Sequence, residues 1–185
     1  MTASKSNLRD EMCARLAAVP ANEVRSHSAA VWERLSGLPA LAGANRVMIY
    51  VSTRQEIETH GLIRQLLAMG RRICVPAFVG EYVPAEIYDF DEDLVKGRFG
   101  ILEPKSPVAM TEPPEAWLVP GLAFDVNGNR LGRGRGFFDT LLRQARGVKI
   151  ALAHDFQLLD EVPAEAHDVR VDFIVTESRV VNCKG

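Results

Sequence analysis

The chain has 185 residues, long enough for one domain with a self-sufficient core and too short to require two, so a single domain over residues 1–185 is expected. With 47% apolar residues, 25% charged residues, a net charge of -2 and no apolar run near the roughly 20 residues of a bilayer span, neither nucleic acid nor membrane is an expected partner. The polar N-terminus MTASKSNLRDEM argues against a secretory signal and for the cytoplasm, and the widely spaced Cys13, Cys74 and Cys183 make neither a disulfide framework nor a zinc spacing.

Leu8, Met12, Leu16 and Val19 recur at helical spacing, and a second amphipathic stretch runs from Ala21 to Leu35 before Gly37 and Pro39 end it. Arg46 to Ser52 reads as a strand, Thr59 to Met69 as a short helix stopped by Gly70, and Ile73 to Phe78 as the next strand. This order is a βαβ unit whose nearly continuous apolar strands suit a parallel sheet covered on both faces. Val83 to Pro107 is irregular, with one strand near Ala85 to Tyr88. Apolar runs at Trp117 to Val119, Lys149 to Ala153 and Asp172 to Val175, with a helix from Phe137 to Ala145, complete an α/β pattern.

The segment from Asn129 to Leu142, NRLGRGRGFFDTLL, sets Gly132, Gly134 and Gly136 among Arg130, Arg133 and Arg135 and opens onto a helix. Glycine costs backbone entropy and neighbouring arginines repel, so packing alone does not favour the pattern. It lacks the GxxxxGK[ST] of a P-loop and the last glycine of GxGxxG. The same physics is still available: backbone N–H groups can approach an anion and arginines can grip phosphate oxygens bidentately. From the residues alone, a polyphosphate cradle, an exposed turn and a Gly-Arg RNA contact all remain open.

Asp139, in the first turn of the helix, reads as a cap, and beside a triphosphate it would also hold Mg²⁺, with Asp168 as a second acid. His167 reads as structural or solvent-facing. Lys5 and Arg9 fall four apart on one helical face, where like charges cost about 0.2–0.5 kcal/mol unless an anion lies between them or Asp10 and Glu11 relieve them. Glu56 follows a strand's carboxyl end, where open α/β sheets bind ligands, while Thr59 is expected to cap the next helix and Glu58 to favour its N-terminus.

Taken together, KSNLR, the strand leading to EIET, ILEP, VPGLAFDVNGNRLGRGRGFFD and PAEAHDVRVDFIVTE resemble the 5-formyltetrahydrofolate cyclo-ligase family over nearly the full chain, most specifically from Pro120 to Asp139. The resemblance implies a three-layer α/β/α sandwich with a mainly parallel central sheet, and an enzyme that uses ATP and Mg²⁺ to turn 5-formyltetrahydrofolate into 5,10-methenyltetrahydrofolate, ADP and phosphate. It assigns ATP to Lys5, Arg9, Arg130, Leu131, Gly132, Arg133, Gly134, Arg135, Gly136, Phe137 and Phe138. It assigns folate to Val51, Glu56, Arg133, Gly134, Arg135, Gly136 and Phe137, and the metal to Asp139 and Asp168. The partners implied are the two small-molecule substrates, and a monomer is expected.

Two features depart from the family pattern. Phe137 and Phe138 stand where many members carry tyrosines, so the apolar faces survive without hydroxyls, and Arg135 stands where lysine is frequent, which is not an equivalent exchange at a transferring phosphate. The alternatives are an ATP- and folate-binding regulator, an enzyme on another folate, or a non-catalytic Gly-Arg RNA-binding module, the last of which predicts a strong salt slope.

Overall fold

The structure, a computed structural model, describes residues 4–97, 100–134, 136–165 and 168–183, so Arg135 and His167 lie outside the described residues. The chain opens with α1 (Lys5–Ala17), α2 (Ala21–Ser36) and the single turn α3 (Pro39–Ala42). Ser4 starts α1, its extended backbone leaving the hydroxyl free to accept from the Asn7 N–H at 3.3 Å. The expected stripe of Leu8, Met12 and Leu16 is the buried face of α1, each side chain contributing about 1.5–3 kcal/mol by leaving water.

β1 (Arg46–Ile49), α4 (His60–Ala68) and β2 (Arg72–Phe78) form the βαβ unit, with Met48 beside Cys74 in parallel register. β3 (Tyr82–Ile87) returns antiparallel to β2, followed by α5 (Phe90–Asp93), the hairpin of β4 (Leu94–Lys96) and β5 (Leu102–Pro104), and β6 (Val108–Ala109). Next come β7 (Ala116–Val119), β8 (Ala123–Asp125), β9 (Arg130–Leu131), α6 (Phe137–Arg143), β10 (Val148–Leu152), β11 (Leu158–Leu159), β12 (Phe173–Val175) and β13 (Val180–Asn182).

The eight-stranded sheet has the order β13-β12-β10-β7-β1-β2-β3-β6. Its five central strands, from β12 to β2, run parallel, and antiparallel strands close both edges. Side-chain alternation sends Val47 and Ile49 to one face, where they pack with Leu35, Leu41, Ile63 and Leu66 of α2, α3 and α4. Met48 goes to the other face and meets Trp117, Phe124 and the α6 leucines Leu141 and Leu142. That second face is covered by α6 together with a small sheet, β11-β8-β9, on which α1 lies through contacts to Leu122, Leu131 and Val162. Among the described residues no helix is long and apolar enough to cross a membrane.

Several boundaries differ from expectation for local reasons. β1 stops at Ile49 instead of Ser52 because side chains take over the ladder: Thr59 Oγ1 accepts from the Ser52 N–H at 3.0 Å and donates to the Tyr50 carbonyl at 2.7 Å. The Thr59 hydroxyl therefore does not cap α4, and Glu58 Oε1 instead accepts from the Gly61 N–H at 3.1 Å. The short strands β4 and β5 fall in the stretch that reads as irregular and β6 just after it, because two or three residues are too few to display a period. All three cysteines are free; burial pushes the Cys74 thiol well up and that of Cys183 up to about 11, so both stay protonated.

Candidate active site

The Gly-Arg segment leaves a hairpin whose turn is tied by one buried carboxylate. Asp125 Oδ1 accepts from the N–H groups of Asn127 and Asn129 at 2.9 and 3.1 Å, while Oδ2 accepts from the Asn129 side chain at 2.8 Å and the Val162 N–H at 2.9 Å. β9 emerges from this turn, pairing Arg130 with Phe124. The chain then runs through Gly132 to α6. Gly134 has φ +84°, and a Cβ there would come within 3.3 Å of Arg9 Nε. Arg9 closes over this backbone and donates from Nε to the Gly132 carbonyl at 3.1 Å.

The arginines do not act alike. Arg130 is buried, and its guanidinium donates to Asp139 Oδ1 and to the Pro120 carbonyl at 3.3 Å. Burial pushes its pKa down while Asp139 and then Asp168 pull it back up, so two carboxylates flank one guanidinium. Arg130 Nε is buried without a hydrogen-bond partner. On α1, Lys5 Nζ lies 2.8 Å from Asp168 Oδ2 and 2.9 Å from Glu165 Oε1. Burial lowers the Lys5 pKa, but these carboxylates outweigh it and hold the ammonium above its ordinary range. The like-charge pair on α1 is thus relieved by distant acids and a carbonyl, not by Asp10 and Glu11.

The second half of the site is the loop after β1. Glu56 Oε2 accepts from the Thr53 N–H at 2.8 Å, and Oε1 accepts from Arg133 Nη2 at 3.2 Å. Beneath it, the Tyr50 hydroxyl donates to the Ile57 carbonyl at 2.8 Å, and Ser52 and Thr59 exchange backbone-to-side-chain bonds at 3.0 Å. Burial, followed by the charges of Glu56 and Glu58, pushes the Tyr50 phenol well above its ordinary value and keeps it a donor. Val51 is buried in the core beside this loop.

An aromatic row lines the side nearest β3. Phe137 meets Tyr82 edge to face with ring centroids 3.9 Å apart, and Phe138 lies 5.2 Å from Phe137. Tyr82 is absent from the residues proposed from sequence. It lies one residue before the irregular stretch, and the strand expected near Ala85 to Tyr88 starts three residues earlier than expected, at Tyr82. Glu165 was also missed, and the only signal for it is its place as an acid three residues before Asp168.

The structure brings together Lys5, Arg9, Gly132, Arg133, Gly134, Glu56, Asp139 and Asp168, with Phe137 and Phe138 leading α6 away from them. Two sequence assignments change in character. The Arg130 side chain faces Asp139 from the interior and Leu131 is buried under α1, so neither side chain opens toward a ligand. Help from a helix terminus is small here, since α6 has only seven residues and starts at left-handed Gly136 without a side-chain cap. Arg135 lies outside the described residues.

Residues 1–177 match the sequence profile of the 5-formyltetrahydrofolate cyclo-ligase family. The chain is 34% identical over 186 residues to a 5-formyltetrahydrofolate cyclo-ligase of Mycolicibacterium smegmatis, covering 95% of each chain. It is 33% identical over 156 residues to that of Escherichia coli, covering 80% of this chain and 86% of the relative. The solution structure of Aquifex aeolicus 5,10-methenyltetrahydrofolate synthetase superposes with a TM-score of 0.87 at 30% identity, covering 98% of this chain and 93% of that one.

Proposed function

Because the chain belongs to the 5-formyltetrahydrofolate cyclo-ligase family and catalyses the ATP-dependent conversion of 5-formyltetrahydrofolate to 5,10-methenyltetrahydrofolate, we propose that both substrates meet along the line from Lys5 to Glu56. Lys5, Arg9 and the backbone of Gly132, Gly134 and Gly136 take the phosphates of ATP. Glu56, Val51 and Phe137 take the folate, with the Glu56 carboxylate accepting from pterin N–H groups. Arg133 reaches from the phosphate loop to Glu56, and that contact is the observation that supports the reading, since one side chain touches both halves.

The chemistry explains the need for ATP. An N-formyl group is an amide, a poor electrophile whose oxygen leaves badly. Transfer of the terminal phosphoryl group to that oxygen releases ADP. The neighbouring folate nitrogen then attacks the formyl carbon, the C–O bond breaks, and phosphate departs as the ring closes. The protein's part is to position groups and neutralise charge, as in phosphoryl transfer generally, and Lys5, Arg9 and Arg133 supply positive charge for it.

Asp139 and Asp168 would hold Mg²⁺ together with phosphate oxygens. Their donor chemistry fits, because both are hard carboxylates and both already face cations, Arg130 and Lys5. When bound, the ion neutralises charge on the phosphates. Lys5 can then turn from Asp168 to a phosphate, and Arg130 remains the fixed charge behind Asp139.

The test is absorbance of the methenyl product from 5-formyltetrahydrofolate with ATP and magnesium each present or absent. Turnover should require both. Rapid product formation without nucleotide would overturn the phosphorylation step, and wild-type turnover in chelator would overturn the magnesium assignment.

A further inference from the structure

Away from this line, three groups converge where β10 and β12 end. His154 follows Ala153 at the carboxyl end of β10, Glu177 lies just past β12, and His27 points at both from α2. His27 Nδ1 is 2.9 Å from His154 Nδ1 and 3.5 Å from Glu177 Oε1, and the three ligand atoms lie within 4.8 Å of one another. We propose that His27, His154 and Glu177 form a site for one zinc-class divalent transition-metal ion, distinct from the magnesium position.

Ligand identity and spacing both suit such an ion. Zinc bonds imidazole nitrogen and carboxylate oxygen at about 2.0–2.2 Å, which sets tetrahedral ligand atoms about 3.3 Å apart. The observed 2.9 and 3.5 Å bracket that figure, and the remaining separation, between His154 and Glu177, is at most 4.8 Å, so side-chain adjustment closes the three atoms around one ion. Nitrogen donors favour zinc, cobalt or nickel over magnesium. Three protein ligands leave a fourth position for water.

The surroundings are those that metal ligands need and a simple histidine pair does not. His154 is fully buried, and its Nε2 donates to the Gln55 carbonyl at 3.0 Å, which fixes the neutral tautomer and turns the Nδ1 lone pair toward His27. The second Glu177 oxygen, Oε2, accepts from the Asp155 N–H at 2.9 Å, leaving Oε1 aimed at the site. The His154 ring is further set by stacking on Phe156, with centroids 5.5 Å apart and planes 6° from parallel. Burial holds the His154 pKa below its ordinary value, outweighing the hydrogen bond to the Gln55 carbonyl and the charges of Glu177 and Glu23.

Without metal, His27 Nδ1–H donates to His154 Nδ1. Metal binding moves that proton to His27 Nε2, so both rings ligate in neutral form and no redox partner is needed. One structural consequence follows: the ion would anchor His154, and through it Gln55, the residue next to Glu56.

Chelator-treated protein titrated with cobalt(II) chloride in a large excess of magnesium tests the site. The expected result is one cobalt per chain with the visible d–d bands of a four-coordinate ion, displaced stoichiometrically by zinc chloride and not by magnesium. His27 is half-buried, so His27→Ala should fold with a near wild-type melting temperature in chelator and lose at least about 100-fold in cobalt affinity. Glu177→Gln should lose about 10–100-fold. Absence of saturable cobalt binding to folded wild type would overturn the proposal, as would bands that persist unchanged in His27→Ala.

Discussion

The Arg133 guanidinium donates to Oε1 of Glu56 at 3.2 Å, joining residues 77 positions apart and closing the Gly-Arg loop onto the end of β1. Arg133 is 50% exposed and Glu56 only 12%, so the pair itself should contribute little to folding, on the order of 0–1 kcal/mol. A double-mutant cycle of Glu56→Gln and Arg133→Ala in urea unfolding should give a coupling within that range. Ligand binding should separate the two residues. Glu56→Gln turns one acceptor into a donor, and a lost buried pairing costs roughly 1–3 kcal/mol, so 5-formyltetrahydrofolate should bind about 10–100-fold more weakly while ATP binding barely changes. Calorimetric titration of each ligand would show it, and unchanged folate affinity would reduce Glu56 to a brace for the Thr53 N–H.

Asp139 carries two separable duties, balancing buried Arg130 and, in our proposal, binding magnesium. Asp139→Ala strips a buried guanidinium of its partner and should cost about 3 kcal/mol of stability. Asp139→Asn keeps an acceptor for Arg130 and should cost less, but it weakens metal use. Excess magnesium should restore part of the turnover in Asp139→Asn and none of the melting temperature lost by Asp139→Ala. Wild-type magnesium dependence in Asp139→Asn would leave Asp139 as a partner for Arg130 alone.

Gly134 and Gly136 answer to different constraints. Gly134→Ala places a Cβ in left-handed backbone and against Arg9, so it should lose about 1–2 kcal/mol and raise KM for ATP several-fold without a matching change for folate. Gly136, at φ +66°, has open space around it, and Gly136→Asn should be nearly neutral. Thermal melts with steady-state kinetics on both variants check this. Equal effects at the two positions would mean that contact with Arg9 is unimportant.

Lys5 gives a pH signature. Its folded pKa is raised above the ordinary 10.5, so its contribution to stability is complete below about pH 10.5 and disappears as the pH climbs through the folded value. The stability gap between wild type and Lys5→Met, without ATP, should therefore be flat from about pH 7 to 9 and shrink above about 10.5. A gap independent of pH would show that Lys5 contributes packing of its stem and not charge.

Much of the molecule is legible in local sequence because local physics dictates it. Helical spacing of Leu8, Met12 and Leu16 marks the buried face of α1, and the run from Arg46 through Phe78 declares a βαβ unit by its change of period. The density of glycine and arginine around Gly134 singles out the loop of the candidate site, since packing offers no reason for it. Lys5, Glu56, Asp139 and Asp168 are recognisable as charged residues at element ends. Their partners are not. That Arg130 turns inward to Asp139, that Lys5 reaches Asp168 and Glu165, that Tyr82 meets Phe137, and that His27, His154 and Glu177 converge were decided by packing of the small sheet, α1, α2 and the two edges of the main sheet. All but the first of those contacts join segments far apart in the chain, where no period carries information, and only burial of both faces of one sheet brings them within bonding distance.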